Sequence, residues 1–238
     1  MLKIEKFTTP SPAQWEITLE GMRNPKNSWD RMDSYEIDGA WFMGENDHTL
    51  AMSLAKGGSV HAKYRRMLPV HVTINAPLYW WKEFDTYRVG VAPNPTDIEI
   101  NSCSTMHKIH AKEFDFTDFS CEHLFVEGSM ERLAETIEEL NKNRALFLET
   151  GDKDYWWQMI QLLPSSYNQK RTMSSNYEAL SHMWFDRHEH KQDCWRTLCH
   201  WIEELPYAEI MVSKSTRFEA IDPSSVLDDR PMGGFKDI

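Results

Sequence analysis

The chain lacks the long apolar run of a membrane-spanning helix, and it has little positive charge. None of its 238 residues lies in a stretch close to the roughly 20 apolar residues that cross a bilayer. Lys and Arg number 26 against 37 Asp and Glu, which gives a net charge of −11. Proteins that coat nucleic acids need clustered Lys and Arg to bind backbone phosphates. We therefore expect neither a membrane nor a nucleic acid polymer as a partner, although one phosphate-sized ligand is still compatible with this charge.

Cysteine is scarce, and the four present form no Cys-x-x-Cys pair. Because residues 1–6 carry charge where a secretory signal would be apolar, we expect a cytoplasmic protein with reduced thiols. The simplest interpretation is that all four are small core residues. They are Cys103, Cys121, Cys194 and Cys199.

Several common catalytic and cofactor motifs are also missing. The sequence has neither the Gly-rich loop of nucleoside triphosphatases nor the Gly-x-Gly-x-x-Gly of dinucleotide-binding proteins. It has no Gly-x-Ser-x-Gly, and Ser102, Cys103 and Ser104 have His107 and His110 only as sequence neighbours. Nucleophilic catalysis is therefore weakly supported.

The patterns that are present predict an α+β protein. An apolar content of 41% with 26% charged residues indicates a globular chain, and its length fits one domain or two small ones. We predict a single domain over residues 1–212 and a surface-wrapping or flexible tail over 213–238. The predicted elements are short strands and loops in residues 1–50, a helix opened by Asn46-Asp47, a strand at 70–74, an aromatic helix at 77–88, a loop at 92–97, helices from Ser129 and from Asp152, and one or two long helices at 167–205.

One helical run, residues 176–190, presents polar groups that suggest a binding site. Asn176 and Arg187 share a helical face with apolar residues, about 16 Å apart along the axis. An Arg on such a face needs an anion or acceptors, and a buried structural ion pair satisfies this as well as a ligand does. His182, Asp186 and His190 also follow one another at i, i+4 spacing. Ligands from one straight helix cannot surround a tetrahedral ion, so a solvated polar face is preferred to a metal site.

Taken together, residues 50–205 resemble the flavin-dependent thymidylate synthases, which methylate dUMP without a cysteine nucleophile. The resemblance is carried by residues 50–57 with His61 after them, by a strand ending in Ala76-Pro77, and by the aromatic helix that follows. The spacing from Leu163-Pro164 to Asn176 and on to Arg187 matches the family without gaps. The implied fold is a small antiparallel sheet with long helices.

The family's Arg-His-Arg signature is only partly retained. It falls on Thr86-Tyr87-Arg88, and the Arg that ends its continuation is Met106 here. The glutamine one turn before the signature, which faces the pyrimidine, falls on Glu83. Two further cations of the family are Ile160 and Glu178 in this chain.

The resemblance assigns roles to particular residues. It implies that Arg187 and Ser104 are catalytic, and that Glu83 joins both in binding the substrate. It also implies a set of residues that bind the flavin: His61, Tyr87, Arg88, Asn176 and His182.

The implied activity is C5 methylation of dUMP to dTMP. FAD is the implied cofactor, NADPH and methylenetetrahydrofolate are the co-substrates, and the assembly is a homotetramer with its ligands bound between subunits. Two alternatives stay open. One is the same fold acting on another pyrimidine nucleotide, by hydroxymethylation or on dCMP, and the other is a non-catalytic protein that binds a nucleotide or a partner.

Overall fold

The structure is a computed structural model that describes residues 1–87 and 98–213. Its internal contacts divide the chain into two compact units. The first unit consists of Met1–Pro10 and Pro69–Pro206, and the second contains Ser11–Leu68 and the segment from Tyr207. A single domain over residues 1–212 stays a prediction. The tail predicted from residue 213 lies almost wholly outside the described residues, as does the loop predicted at 92–97.

Strands and helices are interspersed along the described chain. The strands are β1 (Lys3–Thr8), β2 (Tyr35–Ile37), β3 (Ala40–Phe42), β4 (Pro69–Pro77), β5 (Glu99–Ser102) and β6 (Asn168–Asn176). The α-helices are α1 (Pro12–Arg23), α2 (Glu45–Lys56), α3 (Leu78–Phe84), α4 (Ser129–Thr150), α5 (Lys153–Leu162), α6 (Tyr177–Arg187), α7 (Asp193–Glu203) and α8 (Glu209–Val212). None of these helices is long and apolar enough to cross a membrane.

A four-stranded antiparallel sheet organises the first unit, in the order β1-β4-β6-β5. β4 and β6 pair along their full length, from Pro69 opposite Asn176 to Pro77 opposite Asn168. Alternate residues of β4 are buried because successive side chains of a strand point to opposite faces. The predicted α+β class with a small antiparallel sheet is confirmed.

Two segments differ from the sequence prediction in secondary structure. Residues 168–176 were expected to be helical and form β6, in which Gln169, Met173 and Ser175 are buried. Pairing with β4 and β5 on both sides outweighs the local preference of this polar segment. Residues 15–19, expected to be a short strand, lie in α1, whose start carries a capping box between Ser11 and Gln14.

The helices of the second half are largely as predicted. α4 begins at Ser129, and α5 is capped by Asp152, whose side chain accepts a hydrogen bond from the Asp154 amide. Their apolar faces form a core with the loop before α4. Its buried members are Ile109, Phe114, Phe119, Leu133, Ile137, Leu140 and Met159.

Aromatic side chains fill the space between α3 and α7 in the first unit. Trp80, Trp81 and Trp195 are fully buried, and the Trp80 and Trp195 rings lie 5.0 Å apart. The Trp81 indole N–H donates to the carbonyl of Gln169, which attaches α3 to β6. These tryptophans are therefore core residues, not platforms for a flat ligand.

A buried ion pair holds the second unit together. Asp47, inside the first turn of α2, accepts a 2.6 Å hydrogen bond from Arg23 at the end of α1. Both residues are buried, and the second carboxylate oxygen accepts from the Ser34 hydroxyl and from the amides of Asp33 and Ser34. The predicted cap of this helix at Asn46-Asp47 was wrong, since α2 begins at Glu45 and its N-cap residue is Gly44.

Candidate functional site

Arg187 is the last residue of α6, and two aromatic side chains contact its guanidinium. Its Nε donates a 2.9 Å hydrogen bond to the hydroxyl of Tyr87. The guanidinium carbon lies 4.8 Å from the centre of the Trp195 ring and 5.6 Å from that of Tyr87, within the range of cation–π attraction. Because a planar guanidinium stacked in this way has little freedom to turn, its remaining N–H groups point in a fixed direction.

The carboxylate of Glu83, in the last turn of α3, lies next to Arg187. Its Oε1 accepts a 2.9 Å hydrogen bond from Gln192 Nε2, and its Oε2 accepts a 2.8 Å bond from the indole N–H of Trp195. Arg187 Nη1 lies 3.9 Å from Oε2, which is an ion pair too long for a direct hydrogen bond. His190 Nε2 lies 4.0 Å from the same oxygen.

Tyr87 connects Arg187 to the carboxylate of Asp186. Its hydroxyl accepts from Arg187 and donates to Asp186 at 3.4 Å. Burial raises the pKa of Tyr87 and the neighbouring Asp186 raises it further, whereas the hydrogen bond from Arg187 opposes both. The phenol therefore stays protonated at neutral pH and can serve as donor and acceptor together.

Arg187 and Glu83 are both reachable from solvent. Their side chains are 24% and 35% exposed. The two terminal guanidinium nitrogens of Arg187 make no hydrogen bond with any residue in 1–87 or 98–213. A group that only donates thus lies beside a group that only accepts, an arrangement suited to the edge of a small polar ring.

Ser104 lies in the loop after β5 and is exposed. This loop is attached to β6 because Gln169 Nε2 donates to Thr105 Oγ1 at 2.8 Å. Gln169 in turn accepts from Arg171, whose Nη1 donates to Asp85 at 2.9 Å. The structure therefore connects the Ser104 loop to the end of α3, but it gives no contact between Ser104 and Arg187 in the described part of the chain.

The other residues implied for flavin binding are not gathered at Arg187. Asn176 lies at the opposite end of α6, where its Oδ1 caps the helix by accepting from the Ala179 amide, and His182 lies in the middle of the helix. His182 Nε2 lies 3.1 Å from the carboxylate of the buried Glu178. His61 belongs to the second unit, and Arg88 lies outside the described residues.

No metal site is found where the sequence suggested one as an alternative. α6 ends at Arg187, so His190 does not continue the stripe of His182 and Asp186. In the described ranges, no three His, Cys, Asp or Glu side chains gather as metal ligands.

The cysteines are only partly as expected. Cys194 and Cys199 are buried in α7, and burial raises the pKa of Cys194 and raises that of Cys199 to about 12. Cys103 is exposed, so the expectation of a core residue was wrong for it. Cys121 is half-buried and packs against the core that α4 and α5 form with the loop before α4.

Comparison with known proteins gives the fold. No family profile and no curated protein sequence matches the chain. Thymidylate synthase X from Helicobacter pylori, solved with FAD and dUMP, matches with a TM-score of 0.59 at 16% identity, over 92% of this chain and 100% of that one. The chain has the fold of the flavin-dependent thymidylate synthases. A second H. pylori structure, complexed with FAD and dUMP, gives 0.56 at 16% identity, over 90% of this chain and 98% of that one.

A third structure with a similar fold is a methylase of UMP and dUMP. The UMP/dUMP methylase PolB from Streptomyces cacaoi, bound with 5-Br dUMP, has a TM-score of 0.55 at 14% identity and covers 85% of this chain and 88% of its own. The flavin-dependent thymidylate synthase fold predicted from the sequence is therefore confirmed.

Sequence reasoning missed three contributors to the Arg187 site. Gln192 and Trp195 orient Glu83, and Arg171 connects β6 to the end of α3. Lys170 pairs with Glu5 at 2.6 Å, and Arg171 pairs with Asp85. No motif marks these residues, because each acts on a partner far away in the sequence.

Proposed function

We propose that the chain binds FAD and transfers a one-carbon unit to C5 of a pyrimidine nucleotide, with methylenetetrahydrofolate and NADPH as co-substrates. In the form that the resemblance implies, the reaction converts dUMP to dTMP. The observation that carries the proposal is the guanidinium of Arg187, fixed by Tyr87 and Trp195 with its terminal N–H groups available, on the fold of the flavin-dependent thymidylate synthases. Two of the matched structures were solved with FAD and dUMP.

The proposed role of Arg187 follows from where charge develops. A pyrimidine that forms a bond to carbon at C5 accumulates negative charge on its ring oxygens. A guanidinium already held in place stabilises that charge without having to reorganise during the reaction. In this proposal Glu83 contacts the same base edge, and Ser104 contributes from the loop after β5.

The residues near the start of α6 fit a polar ring better than a phosphate. In the described chain the Nδ2 group of Asn176 makes no hydrogen bond, so it is available to a ring carbonyl. Glu178, in the first turn of the same helix, places a carboxylate where a phosphate would otherwise bind the helix N-terminus. We infer that Asn176 and His182 contact the flavin ring and that the diphosphate is held by other groups.

When bound, reduced flavin supplies the hydride that the methyl group needs, and the chain positions the reactants. Tyr87 is proposed to orient Arg187. A homotetramer, with ligands between subunits, would allow residues at both ends of α6 to act at one site.

The first test is an absorbance spectrum of the purified chain, measured with its mass by light scattering after gel filtration. We expect a flavin band near one FAD per chain and a tetrameric mass, with NADPH oxidation on addition of nucleotide and folate. A colourless protein that takes up no added FAD would overturn the flavin-dependent function.

Tyr87→Phe tests whether Tyr87 positions Arg187. The variant loses the acceptor for Arg187 Nε, a hydrogen bond to a charged group worth about 1.5–3 kcal/mol. We expect nucleotide affinity, measured by calorimetry, to fall at least about tenfold in a variant that keeps the circular dichroism spectrum of the parent. Tyr79→Phe is the control, since Tyr79 is a partly buried phenol that bonds Cys194. Equal losses in both variants would argue against a specific role for Tyr87.

A non-catalytic nucleotide-binding protein is the second candidate function. The observation that favours it is the buried Glu178 beside Asn176, an acidic group within the implied flavin site. Nucleotide binding with no flavin uptake and no NADPH oxidation would support this alternative, whereas formation of a C5-methylated product would exclude it.

A further inference from the structure

Residues 188–192 connect α6 to α7 and border the Arg187 site. Two side chains of this connection face the carboxylate of Glu83. Gln192 Nε2 donates a 2.9 Å hydrogen bond to Oε1, and His190 Nε2 lies 4.0 Å from Oε2. The path of the connection therefore decides how the Glu83 carboxylate is held.

The side chain of Arg196, in the first part of α7, is directed back onto this connection. Its Nη1 donates to two successive backbone carbonyls, that of His190 at 2.7 Å and that of Lys191 at 3.0 Å. Its Nη2 pairs with the carboxylate of Asp193, which also lies 2.7 Å from His123 Nε2. Because a guanidinium is planar and its N–H groups diverge at fixed angles, these contacts restrict the connection more than a flexible ammonium group would.

The placement of the Glu83 carboxylate controls how available Arg187 is to a ligand. Gln192 and Trp195 each bond one of its oxygens. In this arrangement Oε2 stays 3.9 Å from Arg187 Nη1, too far for a direct hydrogen bond. A carboxylate and a guanidinium that meet without restraint form a short, two-point ion pair. If the bond from Gln192 were lost, Glu83 would be able to close on Arg187 and occupy the N–H groups that a ligand needs.

Resting on the proposed function, which places a nucleotide at Arg187, we propose that Arg196 is a positioning residue of this site. It acts without touching the ligand. By bonding the connection between α6 and α7 it holds Gln192 against Glu83, and Gln192 in turn keeps the carboxylate away from Arg187. The effect of Arg196 on ligand binding therefore passes through Gln192.

Arg196→Lys tests this role. Lysine keeps the positive charge beside Asp193, but it cannot bond the two carbonyls with a fixed planar group. We expect the affinity for dUMP, measured by calorimetry, to fall by about three- to tenfold in a variant that keeps the circular dichroism spectrum of the parent. Asp193→Asn removes the anion that pairs with Arg196 and should lower the affinity in the same direction, which provides a second measurement if Arg196→Lys does not fold.

A double substitution separates positioning from a general loss of structure. Gln192→Met keeps a similar shape but removes the amide that bonds Glu83, so it should lower the affinity for dUMP by itself. Adding Arg196→Lys to Gln192→Met should then change the affinity by less than about twofold, because the contact through which Arg196 acts is already absent. A merely structural contribution of Arg196 would instead add to that of Gln192.

Arg132→Lys is the matched control. Arg132 is the fourth residue of α4, as Arg196 is of α7, and it also pairs with an acidic side chain at i,i+3, that of Glu135. Within the described part of the chain its guanidinium bonds Glu135 and no backbone carbonyl. The control should leave the affinity for dUMP within about twofold of the parent.

The outcomes separate this inference from the function on which it rests. The positioning role is wrong, and the proposed function stands, if the parent binds dUMP and neither Arg196→Lys nor Asp193→Asn weakens that binding. The same holds if the effects of Arg196→Lys and Gln192→Met add, or if Arg132→Lys causes an equal loss. If the parent binds no dUMP, the proposed function is overturned, and the role of Arg196 with it.

Discussion

Arg187→Lys is expected to lower kcat/KM for the pyrimidine nucleotide by about 10²–10³-fold, the usual cost of removing one preorganised donor to a developing oxyanion. Lysine keeps the charge but not the planar fork, so it cannot both stack on Trp195 and bond Tyr87. Because the lost interaction is strongest when charge develops on the ring, most of the effect should appear in kcat. Single-turnover kinetics with reduced protein measures this step directly.

The control for this substitution is Arg144→Lys. Arg144 lies in α4 and donates to the carbonyl of His110, so the variant makes the same chemical change within the first unit. Its kcat/KM should stay within about twofold of the parent. If Arg187→Lys changed only KM, Arg187 would bind ground state and transition state equally, and its proposed catalytic role would be wrong.

Asp47→Ala is expected to reduce the free energy of unfolding by about 3–5 kcal/mol, the range observed when one partner of a buried ion pair is removed. The substitution leaves the buried guanidinium of Arg23 without its anion, and the Ser34 hydroxyl and two backbone amides without their acceptor. Urea denaturation with a circular dichroism readout measures the loss.

Acidification should reproduce part of this effect. Burial raises the pKa of Asp47, but the hydrogen bonds from Ser34 and Arg23 outweigh it, so the folded-state pKa lies below the ordinary value of 3.8. The stabilisation is present above that ordinary value and is lost as the pH falls towards the lower folded-state pKa. Unfolding free energies measured from pH 5 to pH 2 should therefore fall more steeply for the parent than for Asp47→Ala.

Glu209→Ala is the matched control for the second unit. Glu209 pairs with His48 on the surface, where ion pairs contribute about 0–1 kcal/mol. If Glu209→Ala reduced the free energy of unfolding as much as Asp47→Ala does, the large effect at Asp47 would not be due to the burial of its ion pair.

The sequence predicted the fold class and the region of the candidate site through spacing, even where local structure was misassigned. Asn176 and Arg187 were placed on one long helix, yet Asn176 ends β6 and caps α6. The spacing survives this error because Asn176 stands at the junction, eleven residues before Arg187. Along the first fifty residues the capping box at Ser11 was an available signal for α1 that the apolar pattern obscured.

The rest of the site could not be found by periodicity. Gln192 and Trp195 act on Glu83 from 109 and 112 residues away, and their orientation depends on the packing of α7 against α3. Local sequence patterns predict whether a side chain is buried. They do not predict which acceptor its N–H group will bond.

The side chain of Arg171 has a thermodynamic consequence for ligand binding. It lies over the Trp81 ring at 4.5 Å and bonds both Asp85 and Gln169. Asp85 lies two residues after Glu83, and Gln169 holds the loop that carries Ser104. Restricting the motion of the end of α3 therefore also restricts the loop that carries Ser104. A first ligand that orders one of these two segments loses conformational entropy, and a second ligand that binds the other segment then loses less. Two ligands that contact these segments separately should bind with positive cooperativity.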